Sequence, residues 1–418
     1  MTKAPPPSLA RRRLLLLCWV AIGAYVGIIV AIHMLAFQAV AAGDDEFSTK
    51  DFDAFYAASM LLDRLPAAAL FDQKASAPIF HDAQQRLYGP LTAAQREHIP
   101  TLRWYYPPSF LLAVAPLSRL PPIPAYLLWL SLTALPFLWV LRRALGGDAI
   151  AIPIGLAWPA SFVNALFGQN GFLTAGLIGG GLELLERRPL LAGCLFGLAA
   201  YKPHLALPVG LALLAGRQWR AIGAALLSGG AMIAVSTALF GLDAWIAFAS
   251  QGSALARSAL ESGDNPWSIM PTTFAALRVM GGGIGTAWAG QAAVSLGALT
   301  AIAWTWNRPG GATRLKAAVL IVGGLLATPF GYIYDLTLLA LPLAWLAGEA
   351  QTGGWRPFER LACVAGLLLP FASAPFANSL GFQPGPLVLL GILWVLLRRQ
   401  PQCGILIPSL VKSSGNPL

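Results

Sequence analysis

Charge is scarce in this 418-residue chain: Asp, Glu, Lys and Arg together make up 11% of it, against 57% hydrophobic residues. A water-soluble globule is thereby excluded, because it needs far more polar surface to cover its core. What remains is a polytopic membrane protein. Cysteine is nearly absent too. Cys18, Cys194 and Cys363 lie in or beside apolar runs, Cys403 lies near the C-terminus, and no CxxC pair occurs. Neither a disulfide framework nor a thiolate metal centre is indicated. Of the few histidines, His33, His81 and His98 lack metal-ligand spacing. Nothing demands a metal or any other cofactor, although a metal is compatible with the sequence. The net charge of +10 does not point to nucleic acid, since no basic face interleaved with aromatics is present. The arginines instead sit in short pairs at the ends of apolar segments, the positive-inside pattern.

Acidic residues are concentrated. Nine of the eighteen fall between Asp44 and Glu97, directly after the first apolar run, and include Asp51-Phe52-Asp53. A helix needs about 20 residues to cross the hydrocarbon core, so spans follow from apolar length and orientation from Arg and Lys. Residues 1–13 form a basic cytoplasmic tail. Arg11-Arg12-Arg13 followed by an apolar run resembles a signal peptide, but the run is too long and lacks a small-residue cleavage site. Leu14–Phe37 is read as a retained first span. Residues 38–106 then form an extracytoplasmic loop, whose mix of Phe, Tyr, Leu and charges predicts a folded cap of short helices.

The bundle proper covers residues 107–399. Ser109–Leu117 is too short to span and reads as re-entrant or interfacial. Spans are expected at Tyr126–Leu141, Ile150–Phe167, Phe172–Leu185, Trp219–Phe240, Thr286–Trp306, Leu315–Thr328, Leu336–Ala347, Leu361–Phe371 and Leu387–Leu397. Leu190–Ala200 and Leu205–Ala215 are short pieces hinged at Tyr201-Lys202-Pro203-His204, where proline breaks the helix. A second external loop covers 241–285, and 400–418 is a cytoplasmic tail. The expected architecture is all-α, with about 12 spans, both termini inside and no internal repeat. In this topology the unusual polar groups collect on the outer side.

Several of those groups suit chemistry. Asp51 and Asp53, just past the first span, can act as general base on a hydroxyl, and a partly desolvated cleft would raise their pKa toward a useful value. The bland alternative is that they solvate the start of the loop. Lys202 is costly at membrane depth unless paired or near water, and a broken helix with Lys and free backbone groups suits a phosphate; the alternative is a snorkelling Lys. His204 lines the same hinge. Gln169, Asn170 and Asn265 suit sugar hydroxyls, and Tyr105, Trp104 and Trp267 could stack on a ring or merely anchor at the headgroups. Asp335, after Tyr334, could alternatively cap a helix.

The order of these elements is similar to that of glycosyltransferase family 87, membrane enzymes of the GT-C superfamily that use polyprenol-phosphate-mannose. The resemblance rests on Asp51-Phe52-x-x-Phe55-Tyr56-x-Ala58, Tyr106-Pro107-Pro108 with Leu111-Leu112 and Pro116-Leu117, Gly168-Gln169-Asn170, Ala192-Gly193 through Gly197-Leu198 to Lys202-Pro203, and Pro329 with Tyr334-Asp335-Leu336. It runs from Asp51 to Leu343. It implies a GT-C-type bundle, a polyprenyl-phosphate-sugar donor, a glycolipid or glycan acceptor, inversion at the anomeric carbon, and an essential aspartate that maps onto Asp51. Two departures bear on the donor sugar and the acceptor: His204 where Gln is expected, and Pro329-Phe330-Gly331 where Pro-His or Pro-Tyr is common.

The residues and the resemblance together lead to an expected inverting hexosyltransferase of the inner membrane, its site facing the periplasm. Asp51 and Asp53 are the catalytic candidates, Lys202 and His204 would hold the donor phosphate, and Gln169, Asn170, Asn265, Tyr334, Asp335 and Tyr105 would bind sugar or acceptor. Membrane lipids are the expected surroundings. The rival classes are a transporter or lipid flippase, which would place ionisable groups near the midplane, and another lipid-linked-donor transferase.

Overall fold

The first apolar run folds as part of a longer helix, α1 (Leu9–Ala42), which begins before the expected span and outlasts it. The structure, a computed structural model, describes residues 9–44, 50–98 and 104–400. Most of the expected N-terminal tail and nearly all of the C-terminal tail lie outside the described residues. Every regular element among them is helical.

The expected cap is built from α2 (Asp51–Leu62), a 3-10 turn (Ala67–Phe71), α3 (Gln73–Tyr88) and α4 (Ala93–His98). Asp72 starts α3 by accepting from the backbone N–H groups of Lys74 and Ala75, at 2.9 and 3.3 Å. Phe55, Tyr56, Leu61, Leu70, Trp104 and Phe110 are fully buried between the cap and the segment that follows it. Tyr56 and Ser59 clamp the contact, donating to the carbonyls of Leu120 (2.9 Å) and Ala115 (2.6 Å). The segment itself is a string of single turns around α5 (Leu111–Val114). Pro107, Pro108, Pro116 and Pro121 remove the N–H groups a longer helix there would need.

The bundle continues with α6 (Pro122–Ala144), α7 (Ala151–Ala157), α8 (Pro159–Phe167) and α9 (Gly171–Leu184). The single span expected over Ile150–Phe167 is thus two helices. Trp158 turns extended because the residue before a proline is driven out of the helical region. After α10 (Pro189–Leu198), the chain breaks at Lys202 and resumes as α11 (Pro203–Ala215). Then come α12 (Trp219–Phe240), and, in the expected second loop, α13 (Leu242–Ala247), α14 (Ser253–Ser262) and α15 (Thr273–Val279). The last helices are α16 (Ile284–Asn307), α17 (Thr313–Ala327), α18 (Ala340–Gly353), α19 (Glu359–Leu380) and α20 (Gly385–Arg399). Between α17 and α18 the chain is irregular until a 3-10 turn at Asp335–Leu339.

Four helices, α1, α6, α12 and α19, are long and apolar enough to cross a membrane unaided. Leucines of α1 and α12, such as Leu17, Leu226 and Leu227, are more than 60% exposed, which only a lipid solvent makes favourable. Buried α17 is the spine of the bundle: all residues from Ala317 to Leu326 are buried. This is an integral membrane protein.

The basic turns gather at one pole. Arg11, near the start of α1, pairs with Asp148 at 2.6 Å; Glu183 receives Arg314 (3.2 Å) and the Trp345 indole (2.9 Å); Glu359 binds Arg399 through two bonds, at 2.5 and 2.7 Å. The other end of α1 meets the cap, where Gln95 donates to the carbonyls of Val40 and Asp44. A 34-residue helix separates those ends by about 50 Å.

Candidate active site

At the cap end, Lys50 is extended and α2 begins at Asp51. The two loop aspartates part company there, as helical geometry turns residues two apart to different sides. Asp53 is wholly buried: one carboxylate oxygen accepts the Lys50 backbone N–H (3.0 Å), and Tyr88 donates its hydroxyl between both oxygens (3.1 Å each). Burial outweighs those bonds and pushes its pKa up to about 7. Asp51 points elsewhere. It is half-buried and deep among neighbours, so that desolvation lifts its pKa to about 6 against the opposing pull of a hydrogen bond with Gln169 and the charges of Lys202 and Lys50.

Gln169 is held in place from two sides. Its Oε1 accepts from the Tyr106 hydroxyl (3.2 Å) and the Asn170 backbone N–H (3.0 Å), leaving the amide NH2 to donate to Asp51. The turn that carries it requires Gly168, in the left-handed region at φ 64°, where a Cβ would also meet the Phe52 Cβ at 2.5 Å. Asn170 caps α9; its side chain is fully buried and neither Oδ1 nor Nδ2 has a hydrogen-bond partner.

Lys202, at the break between α10 and α11, lies 2.6 Å from Asp335, with side chains 3% and 1% exposed. The other Asp335 oxygen accepts the Tyr332 backbone N–H at 3.1 Å; Asp335 opens the 3-10 turn, but its side chain serves the preceding loop and the ion pair and caps no N–H of that turn. The Lys202 ammonium also stands 5.2 Å from the centre of the Tyr334 ring. Neighbouring Tyr201 stacks on Phe110 (4.8 Å between centres) and bonds the Thr174 hydroxyl (2.6 Å), which locks the hinge to the segment after the cap on one side and to α9 on the other. His204 is half-buried within reach of the charges of Lys202 and Asp335, and its Nε2 has no hydrogen-bond partner.

The sequence candidates therefore divide into a cleft and the wall behind it. Asp51, Tyr105 and His204 retain exposure, whereas Gln169, Asn170, Lys202, Tyr334 and Asp335 are buried in support. Tyr332 feels Tyr105, Tyr106, Asp51 and Asp335 at once, which gathers chain segments far apart in sequence around one space. No described contact brings Asn265 into this group; its backbone N–H bonds Ala259. Trp104 is buried in the cap core, and Trp267 is occupied by a bond to Leu260 (2.8 Å) and by Arg278 over its ring (4.6 Å). Sequence reasoning passed over Tyr106 and Tyr332 as site residues and Tyr88 as the partner of Asp53. The alternation Tyr332-x-Tyr334-Asp335 before a helix was the available signal. Among the described residues no group of three or more His, Cys, Asp or Glu is placed to hold a metal ion.

The family model for glycosyltransferase family 87 matches residues 104–329. The chain belongs to that family. It is accordingly a glycosyltransferase, acting on a donor and an acceptor. No curated protein and no solved structure matches it. Within the family-87 match lie Tyr105, Gln169, Asn170, Lys202, His204 and Asn265; Asp51, Tyr334 and Asp335 lie outside it and join the site through the contacts just described, while Asp53, also outside it, is held by Lys50 and Tyr88.

Proposed function

We propose that the chain transfers a hexose, namely mannose, from a polyprenyl phosphate to an acceptor hydroxyl on a glycolipid or glycan at the periplasmic face of the inner membrane, with inversion. The observation that carries this reading is half-buried Asp51, set beside the Gln169 amide and the Lys202–Asp335 pair at the pole opposite the basic turns. With those turns in the cytoplasm, the cleft faces outward, and about 12 spans with both termini inside accommodate the remaining helices. The hexose, the polyprenyl donor and the side of the membrane rest on the family resemblance and on this polarity.

In the proposed reaction Asp51 takes the proton of the acceptor hydroxyl as its oxygen attacks the anomeric carbon. The bond from that carbon to the phosphate oxygen breaks on the opposite face, and polyprenyl phosphate leaves with the electron pair. Phosphate is already a good leaving group, so no nucleotide is needed. An ammonium has three donors, and Asp335 engages Lys202 through one short bond; the others would stabilise charge on the departing phosphate. His204 stands at the same hinge. Gln169 orients the base, and no step calls for a metal.

A buried ion pair across a broken helix also suits a transporter or flippase. Against that stand family membership and the gathering of the polar groups at one pole. The test is transfer of radiolabelled mannose from polyprenyl-phosphate-mannose to membrane glycolipid, with Asp51→Asn at equal expression. The variant should lose about 10²- to 10⁴-fold in rate; unchanged transfer would sink the mechanism.

A further inference from the structure

Lys50 stands where local rules disfavour it. It occupies the N-cap of α2, where Ser, Thr, Asp or Asn is preferred and a cation meets the positive end of the helix dipole. It is also withdrawn from water, at 9% exposure, which is costly for an ammonium with no anion at hand. Proteins break such rules chiefly at functional sites.

Three contacts place this residue. Its backbone N–H is fixed to Asp53 at 3.0 Å. Its Nζ stands 6.0 Å from the centre of the Phe167 ring, two residues before Gln169. Phe52 packs so closely on Gly168 that a Cβ there would meet the Phe52 Cβ at 2.5 Å. Residues 50–52 therefore lie against the 167–169 turn, and Lys50 reaches over the same turn that holds Asp51 through Gln169.

The charges around Asp51 give that ammonium a task. Lys202 is already engaged by Asp335 at 2.6 Å, and the phenols of Tyr106, Tyr332 and Tyr334, which share the field of Asp51, are uncharged at neutral pH. Lys50 feels Asp53 first and Asp51 second. Asp53, bonded by Tyr88, is pushed by burial up to about 7, so a proton on Asp53 leaves the ammonium to Asp51. Without Lys50, an ionised Asp51 and an anionic donor phosphate would share the cleft with only the already paired Lys202. We propose that Lys50 is the counter-ion of Asp51, a positioning residue that keeps the base ionised while the anionic donor is bound. The inference rests on the reading of Asp51 as the base.

The test uses the full chain in lipid nanodiscs at saturating polyprenyl-phosphate-mannose. It compares kcat from about pH 5 to about pH 9 in wild type, Lys50→Met, Lys50→Gln and Lys50→Arg, with the melting temperature of each recorded. Wild type should titrate near 6. Either neutral variant should move the acid limb up by roughly one pH unit, the size of one lost neighbouring charge. Transfer then falls about tenfold well below pH 6, about twofold near pH 7 and little above about pH 8, whereas a merely structural loss lowers it equally at every pH. Lys50→Arg should restore the wild-type limb. The infrared band of the protonated Asp51 carboxyl, isolated by subtracting the Asp51→Asn spectrum in each background, follows the same titration without turnover. A midpoint indifferent to Lys50, or a rate loss uniform in pH, would overturn the proposal. So would a shift that vanishes in an Asp53→Asn background, since Lys50 would then serve Asp53. A Lys50-dependent infrared shift without Asp51-dependent transfer would leave the counter-ion standing and refute the base.

Discussion

Lys202 and Asp335, 133 residues apart in the chain, meet at 2.6 Å in a buried ion pair. The pair ties the α10–α11 break to the segment after α17, and both ends of it also touch the tyrosines of the cleft. Removing one member leaves an uncompensated charge in the protein interior, which is worth about 3–5 kcal/mol. Lys202→Met or Asp335→Asn should each therefore lower thermal stability in detergent. The double variant Lys202→Met with Asp335→Leu should recover most of that stability without recovering transfer. A double variant as active as wild type would assign the pair to structure alone.

The two loop aspartates should separate cleanly. Asp53 spends its oxygens on the Lys50 N–H and Tyr88, and Asn can accept from both through one oxygen. Asp53→Asn is expected to keep most of the transfer rate, whereas Asp53→Ala leaves two donors unmet and should destabilise by about 1–3 kcal/mol. Circular-dichroism melts alongside the transfer assay distinguish the outcomes.

Acidity should act on rate and on stability in opposite directions. A general base must be ionised, so with Asp51 near 6 transfer should rise with pH through that value and level off above about 7. Both aspartates hold protons more tightly when folded than in an unfolded chain, where 3.8 is usual. Between 3.8 and about 7 the folded state then binds more protons than the unfolded one, and stability falls as pH rises. Melting temperatures at pH 5 and pH 8 test the sign, and Asp53→Asn should flatten the slope.

The start of α9 should tolerate no added methyl group. At Gly171 a Cβ would lie 2.5 Å from the Tyr334 carbonyl oxygen and 2.6 Å from Asn164 Oδ1. Neither atom can retreat without moving Asp335 or giving up the Asn164 bond to the Gly171 N–H (2.7 Å). Gly171→Ala is expected to cost about 1–3 kcal/mol and to lower transfer. Gly223, with open space around it, is the matched control.

Much of this was legible in the sequence because lipid imposes long apolar runs and proline marks its breaks. Trp219–Phe240 agrees at both ends with α12, and the hinge at Lys202 falls where Pro203 dictates. The break at Trp158 was available in Pro159 but hidden by the continuous apolar run around it. The cap was foreseeable as helical from composition, but not that Tyr88 would reach Asp53, since tertiary partners 35 residues apart leave no periodic trace. Burial was the least legible quantity. Asn265 and Trp267 look as suitable for sugars as Gln169 and Tyr105, and only packing separates them.

The order of synthesis gives the Lys202–Asp335 contact another meaning. Translation delivers the lysine long before its counter-ion, so the α10–α11 hairpin must first be placed while carrying an unneutralised ammonium, which is costly away from water. Until the chain has grown past α17 the nascent protein has every reason to leave that hairpin loosely seated near the water interface. Arrival of Asp335 then draws it home, so the cleft is completed only after α17 has been made, and a product truncated before Asp335 would be left without it.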